Sequence, residues 1–116
     1  MIKILARLIL SISFLISVVY GAESFTKVRA SHILVKSANE AIQIKKDIEN
    51  GGNFEYYAQL YSLCPSGQRG GDLGYFSRGQ MVPEFERKAF SMEVGEISAP
   101  VYSPFGWHII KVTDRQ

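Results

Sequence analysis

Two helix-stopping pairs, Gly51-Gly52 and Cys64-Pro65, cut the middle of this chain into short pieces and set the scale of what it can build. Glycine takes the left-handed conformation past a helix end without a Cβ penalty, and proline lacks the donor that a further turn needs. Ahead of the first stop, Ser37-Ala38-Asn39-Glu40 has the form of a capping box, with Ser37 as N-cap and Glu40 three residues on. Ala38, Ala41, Ile44 and Ile48 recur at helical spacing, and Lys45, Lys46 and Glu49 fill the other face. Between the stops Asn53 can cap a second helix over residues 54–63. A third is expected over 83–90, where Pro83 precedes Glu84 in the opening turn.

The β-branched run at 28–35 reads as the first strand, with further strands expected at 73–77, 97–102 and 107–113. The order β-α-α-β-α-β-β does not alternate long enough to wind a parallel sheet. It fits the α+β class: a small four-stranded, mostly antiparallel sheet with packed helices. A single cysteine excludes an internal disulfide scaffold, so apolar packing alone must supply the core.

Residues 1–21 read differently from the rest. Met1, Lys3 and Arg7 precede an apolar run over 8–20, and small residues follow at Gly21 and Ala22. That is the pattern of a signal peptide, or of a membrane anchor through residues 4–22 if the leader is retained. A short polar lead-in over 22–27 and one domain over 28–116 complete the expected organisation. Lys3 and Arg7 account for the whole excess of 13 Lys and Arg over 11 Asp and Glu. The remainder is formally neutral, which argues against a nucleic-acid partner.

Candidate chemistry begins with two histidines. On a strand, His32 shares a face with Leu34, and His108 with Ile110 and Val112, so both point as core residues would. A buried, mutually bonded neutral pair and a catalytic pair are both compatible with that pattern. Cys64 at a helix end reads as a half-buried small side chain, a nucleophile paired with a histidine, or a metal ligand. The loop Ser66 to Asp72 lacks the lysine and spacing of a phosphate-binding loop, and its glycines suit a tight chain path over a groove. Leu73, Met81, Phe85 and Phe90 form an apolar set around it.

Four stretches taken together carry a family resemblance: Ser31 to Val35, Gly70 to Phe76, Gly79 to Phe85, and Phe105 to Ile110. In this order and spacing the chain resembles the parvulin-type peptidyl-prolyl cis/trans isomerases from about Val28 to Asp114. The resemblance implies that His32 and His108 meet at the centre of the sheet beside Cys64, as the catalytic group. It implies that Leu73, Met81 and Phe85, with Phe76 alongside, form the pocket for the substrate proline ring, flanked by Gln80 and Phe105. No cofactor and no metal are implied. Alanine at Met81 or Phe85 is expected to cause a large loss of catalytic efficiency and keep the fold.

Phosphate-directed members carry a long basic loop after the first strand, whereas here only Lys36 separates Val35 from Ser37. No hydroxyl stands directly before Gly106 in Ser103-Pro104-Phe105-Gly106, which also resembles the bacterial branch that does not require phosphate. The expected partners are proline-containing segments of unfolded or exported proteins. The expected state is a monomer in the periplasm or another extracytoplasmic compartment. The alternative is a chaperone-like module that binds such segments with little or no isomerase activity.

Overall fold

A computed structural model describes residues 25–116. The expected leader lies outside the described residues, as does the first half of the polar lead-in. The order is β1 (Lys27–Val35), α1 (Ala38–Glu49), α2 (Phe54–Tyr61), a 3-10 helix (Pro65–Arg69), β2 (Asp72–Ser77), α3 (Pro83–Ser91), β3 (Val101–Ser103) and β4 (Gly106–Arg115). Lys27 therefore belongs to the first strand and not to the lead-in.

The four strands form one antiparallel sheet in the order β2-β1-β4-β3. The long central pair β1 and β4 places Leu34 opposite His108 and His32 opposite Ile110. Side-chain alternation then divides the core into two layers. Ile33, Val35 and Ile109 pack with Ala41, Ile44 and Ile48 of α1 and Phe54 and Ala58 of α2. Val28, Ala30, Ile110 and Val112 face the other way, onto Phe85, Ala89 and Phe90 of α3. His32 and His108 fall on this second face, between the sheet and α3.

Local signals explain the helices. The Ser37 hydroxyl accepts the Glu40 amide at 3.1 Å, and the Asn53 side chain accepts the Tyr56 amide at 2.8 Å. Helix α1 ends at Asn50, and Gly51 follows at φ +104°, the conformation that glycine favours. Helix α3 starts with Pro83 at its first turn and no side-chain cap.

Helix α2, expected over residues 54–63, stops at Tyr61 with Ser62 as its C-cap, ahead of Cys64-Pro65. Two further expectations change. The third strand, expected over 97–102, is confined to Val101–Ser103. Ile97 touches β4 only as an isolated bridge to Lys111, and Pro100 interrupts the ladder because it has no N–H to give. Ser98 bonds β4 on both sides, its N–H to Ile110 O and its hydroxyl from Ile110 N. The second change is in the glycine-rich loop, whose first half is a 3-10 helix that opens on Pro65 and ends at left-handed Gly70.

Gly71 has a sharper role than a loose path over a groove. Its φ is +89°, and a Cβ there would stand 2.4 Å from the His32 carbonyl oxygen. The close approach lets Gly71 O accept the His32 N–H at 2.9 Å, holding the strand that carries the histidine. Gly71→Ala is expected to cost more than about 2 kcal/mol, since strain at positive φ adds to a backbone clash. Urea melts of parent and variant check this; equal midpoints would contradict it.

Candidate active site

The α3 face of the sheet opens into a pocket of about 560 Å³. One wall is the segment that joins β2 to α3 with the first turn of α3, which supplies Gln80, Met81, Val82 and Phe85. Leu73 of β2 faces them, His32 and His108 form the floor, and Leu34, Leu63, Cys64, Pro65 and Phe105 close the far side. Among the described residues no lysine, arginine or acidic side chain lines it.

The walls are fixed by hydrogen bonds within their own loops. Gln80 Oε1 accepts the Ser77 N–H at 2.7 Å, and a Glu86 carboxylate oxygen accepts the Gly79 N–H. The turn bearing Met81 is thus tied to both β2 and α3. On the far side, Leu34 N–H donates to Ser62 Oγ at 3.1 Å and Leu63 N–H donates to Leu34 O at 2.8 Å, which moors the Cys64 segment to β1.

At the floor the two imidazoles meet, His32 Nδ1 to His108 Nδ1 at 2.9 Å. His32 is 6% exposed and His108 3%. His108 Nε2 lies 2.6 Å from Ser103 Oγ, which also accepts the Phe105 N–H at 3.2 Å. Ser103 is fully buried, and its hydroxyl proton finds no other acceptor among the described residues, so it is assigned to His108 Nε2. His108 then carries its proton on Nδ1 and donates to His32, whose own proton sits on Nε2. His32 Nε2 has no partner among the described residues. Burial, and next to it the neighbouring His108, pushes the His32 imidazole down to about 4. Burial also lowers His108, against the opposing pull of Glu84. Both rings are neutral near pH 7.

Each sequence-based candidate has a definite place. His32, Cys64, His108, Leu73, Met81, Phe85, Gln80 and Phe105 all line this one pocket. Phe76 does not: it is 2% exposed, its ring 5.8 Å from that of Phe85, and it supports the pocket from behind as part of the core. Phe85 is itself 2% exposed and meets both imidazoles edge-on, at 5.5 and 5.4 Å. It belongs to wall and core at once, so its truncation cannot leave stability untouched. Cys64 is half-buried, immediately precedes the 3-10 helix, and accepts from the Ser66 hydroxyl at 3.2 Å. Among the described residues no three His, Cys, Asp or Glu side chains gather as a metal site.

Ser103, Leu34, Leu63, Pro65 and Val82 were not anticipated. Strand alternation alone could have added Leu34, two residues from His32 on the same face. Ser103 becomes visible only once the β3–β4 register sets it opposite Gly106.

Comparison with known proteins decides the family. The rotamase model, described as a PPIC-type PPIASE domain, matches residues 26–114. The chain belongs to this family, the parvulin-type peptidyl-prolyl isomerases. It is 52% identical over 90 residues to the foldase protein PrsA of Oceanobacillus iheyensis, a match covering 77% of this chain and 30% of that protein. Among solved structures, the peptidylprolyl isomerase PrsA of Bacillus anthracis aligns with a TM-score of 0.78 at 48% identity, over 79% of this chain and 43% of that one. NmPin, the parvuline of Nitrosopumilus maritimus, aligns at 0.70 and 42% identity, over 77% of this chain and 97% of that one. The chain spans about a third of the length of the curated PrsA relatives it matches.

Proposed function

We propose that this parvulin domain catalyses cis/trans isomerisation of Xaa-Pro bonds in unfolded or exported polypeptides, with no requirement for phosphate. The observation that carries the reading is an uncharged apolar pocket floored by a neutral histidine pair. The barrier to peptide rotation is about 18–20 kcal/mol, and each 1.36 kcal/mol removed is about tenfold in rate. Catalysis then needs tighter binding of the twisted amide than of the planar one, and no covalent chemistry.

In this reading Leu73, Met81 and Phe85 clamp the proline ring while the preceding carbonyl swings past Cys64 and the imidazoles. A twisted amide has lost resonance and is less polarised, so a pocket poor in water favours it. Cys64 adjusts polarity without forming a bond. Cys64→Ser is expected to keep kcat/KM within about tenfold of the parent. Trapping an acyl-thiol adduct from a prolyl peptide would overturn this role.

The leader pattern supports a periplasmic or other extracytoplasmic location, with membrane attachment through residues 4–22 if it is retained, and the domain acts as a monomer. The test is a proline-switching assay on matched peptides with serine or phosphoserine before proline. Faster switching of the unphosphorylated peptide supports the proposal. Binding without switching would assign a holding module instead, and activity confined to the phosphopeptide would contradict the specificity.

A further inference from the structure

Helix α2 has an apolar face that the described residues leave uncovered. Tyr56 is 56% exposed, Leu60 53%, Tyr61 45%, and Leu63, two residues past the helix, 55%. Phe54 and Ala58 already supply the buried side. Tyr56 and Leu60 stand one turn apart, and Tyr57 and Tyr61 stack at 6.0 Å, so these side chains run along the helix axis. Glu55 is the one charged residue between Phe54 and Pro65, and it is paired with Lys111 at 3.0 Å. The exposed stripe is therefore uncharged, and it does not stop at the helix. Leu63 is at once its last member and part of the pocket wall.

Continuity with the pocket decides what would lie on it. Four side chains, each about half exposed, offer on the order of 400 Å², as large as the functional patches of monomers. That is about half of what each partner buries in a standard protein–protein interface, and so too little for a stable dimer. It suits a single extended strand. From Leu63 to Tyr56 is roughly 10 Å at the helical rise, a span that about three extended residues cover.

We propose that the Tyr56–Leu60–Leu63 stripe is a second subsite for the same substrate chain, taking a bulky apolar residue about three to five positions from the proline. The inference rests on the prolyl-isomerase reading of the pocket. The subsite adds affinity for unfolded polypeptide and leaves the chemistry at the pocket unchanged.

Peptides with one proline and a phenylalanine three to five residues before or after it, each compared with its serine counterpart, test this. In the parent, KM for the phenylalanine peptide on one of the two sides is expected to be about fivefold lower. In the Tyr56→Gln/Leu60→Gln double variant that advantage disappears, while kcat/KM for a prolyl tetrapeptide stays within about twofold. Both positions are more than half exposed, and an unchanged helical circular dichroism spectrum, with the two single variants run alongside, separates loss of the subsite from loss of fold. Equal KM for phenylalanine and serine peptides on both sides, or an advantage that survives in the double variant, overturns the proposal. So does a parent dimer in sedimentation that the double variant abolishes, since the stripe would then belong to a second copy. Should the parent fail to turn over the tetrapeptide, the pocket reading falls by itself. Peptide anisotropy would still report the phenylalanine preference.

Discussion

Met81→Ala is expected to lower kcat/KM for prolyl isomerisation by about 10- to 100-fold and to lower the melting temperature by no more than about 8 °C. Met81 is half-buried on the pocket wall, in a turn held by Gln80 and Glu86, and its side chain also packs on the edge of the α3-side core. Removing its apolar contact with a proline ring forfeits about 1.5–3 kcal/mol, which is that range of rate if the contact is made in the transition state. Phe85→Ala is expected to do more and to do it differently. Its ring packs on Phe76 and on both imidazoles within the α3-side core, so stability should fall by about 3–5 kcal/mol along with activity. Steady-state kinetics with thermal melts separates the two cases. A Met81→Ala enzyme with parental kcat/KM would remove that side chain from the substrate site.

The second large effect is on stability against pH. The His32 imidazole, at about 4 in the fold against 6.5 for the free side chain, stays neutral where the unfolded chain is protonated. Because its folded value is depressed, the stability it protects is fully present above pH 6.5 and is lost as the pH falls towards 4. The difference amounts to roughly 3 kcal/mol by pH 4, and His108, lowered in the same direction, adds to it. Asp72 and Asp114, held low chiefly by hydrogen bonds from Arg29 and Tyr75, titrate below this window. Urea unfolding at pH 7, 6, 5 and 4.5 checks the slope. His32→Gln should be less stable than the parent at pH 7, since it strands the His108 Nδ1–H, and should show a much shallower pH dependence. A parent whose stability is flat from pH 7 to 4.5 would contradict the buried neutral pair.

Local chemistry made much of this fold legible before any coordinates. Ser37 and Asn53 name their helices, Gly51 follows the end of the first, and strand alternation places both histidines on the core side, whereas the second helix stops at Tyr61 without reaching Pro65. What escaped depends on partners distant in sequence. Nothing local tells that Phe76 stands behind Phe85 and not beside it, because both occupy one face and depth is set by how α3 packs on the sheet. The short β3 depended on how much of the chain ahead of Pro100 could still reach β4. The Ser103 hydroxyl on His108 depends on the register of a hairpin whose turn, Ser103 to Gly106, fits several registers by composition. The 3-10 helix after Cys64 escaped because five residues rich in Pro, Ser and Gly carry no period.

The most direct test is two-dimensional NMR exchange on an unphosphorylated prolyl peptide, recorded with substoichiometric protein and followed by intermolecular contacts from the proline ring protons. Cis–trans exchange peaks should appear with the parent and weaken sharply with Met81→Ala, and the ring should show contacts to Leu73, Met81 and Phe85. Exchange without those contacts, or a ring seated on another surface, would contradict the pocket as the place where the prolyl bond is turned.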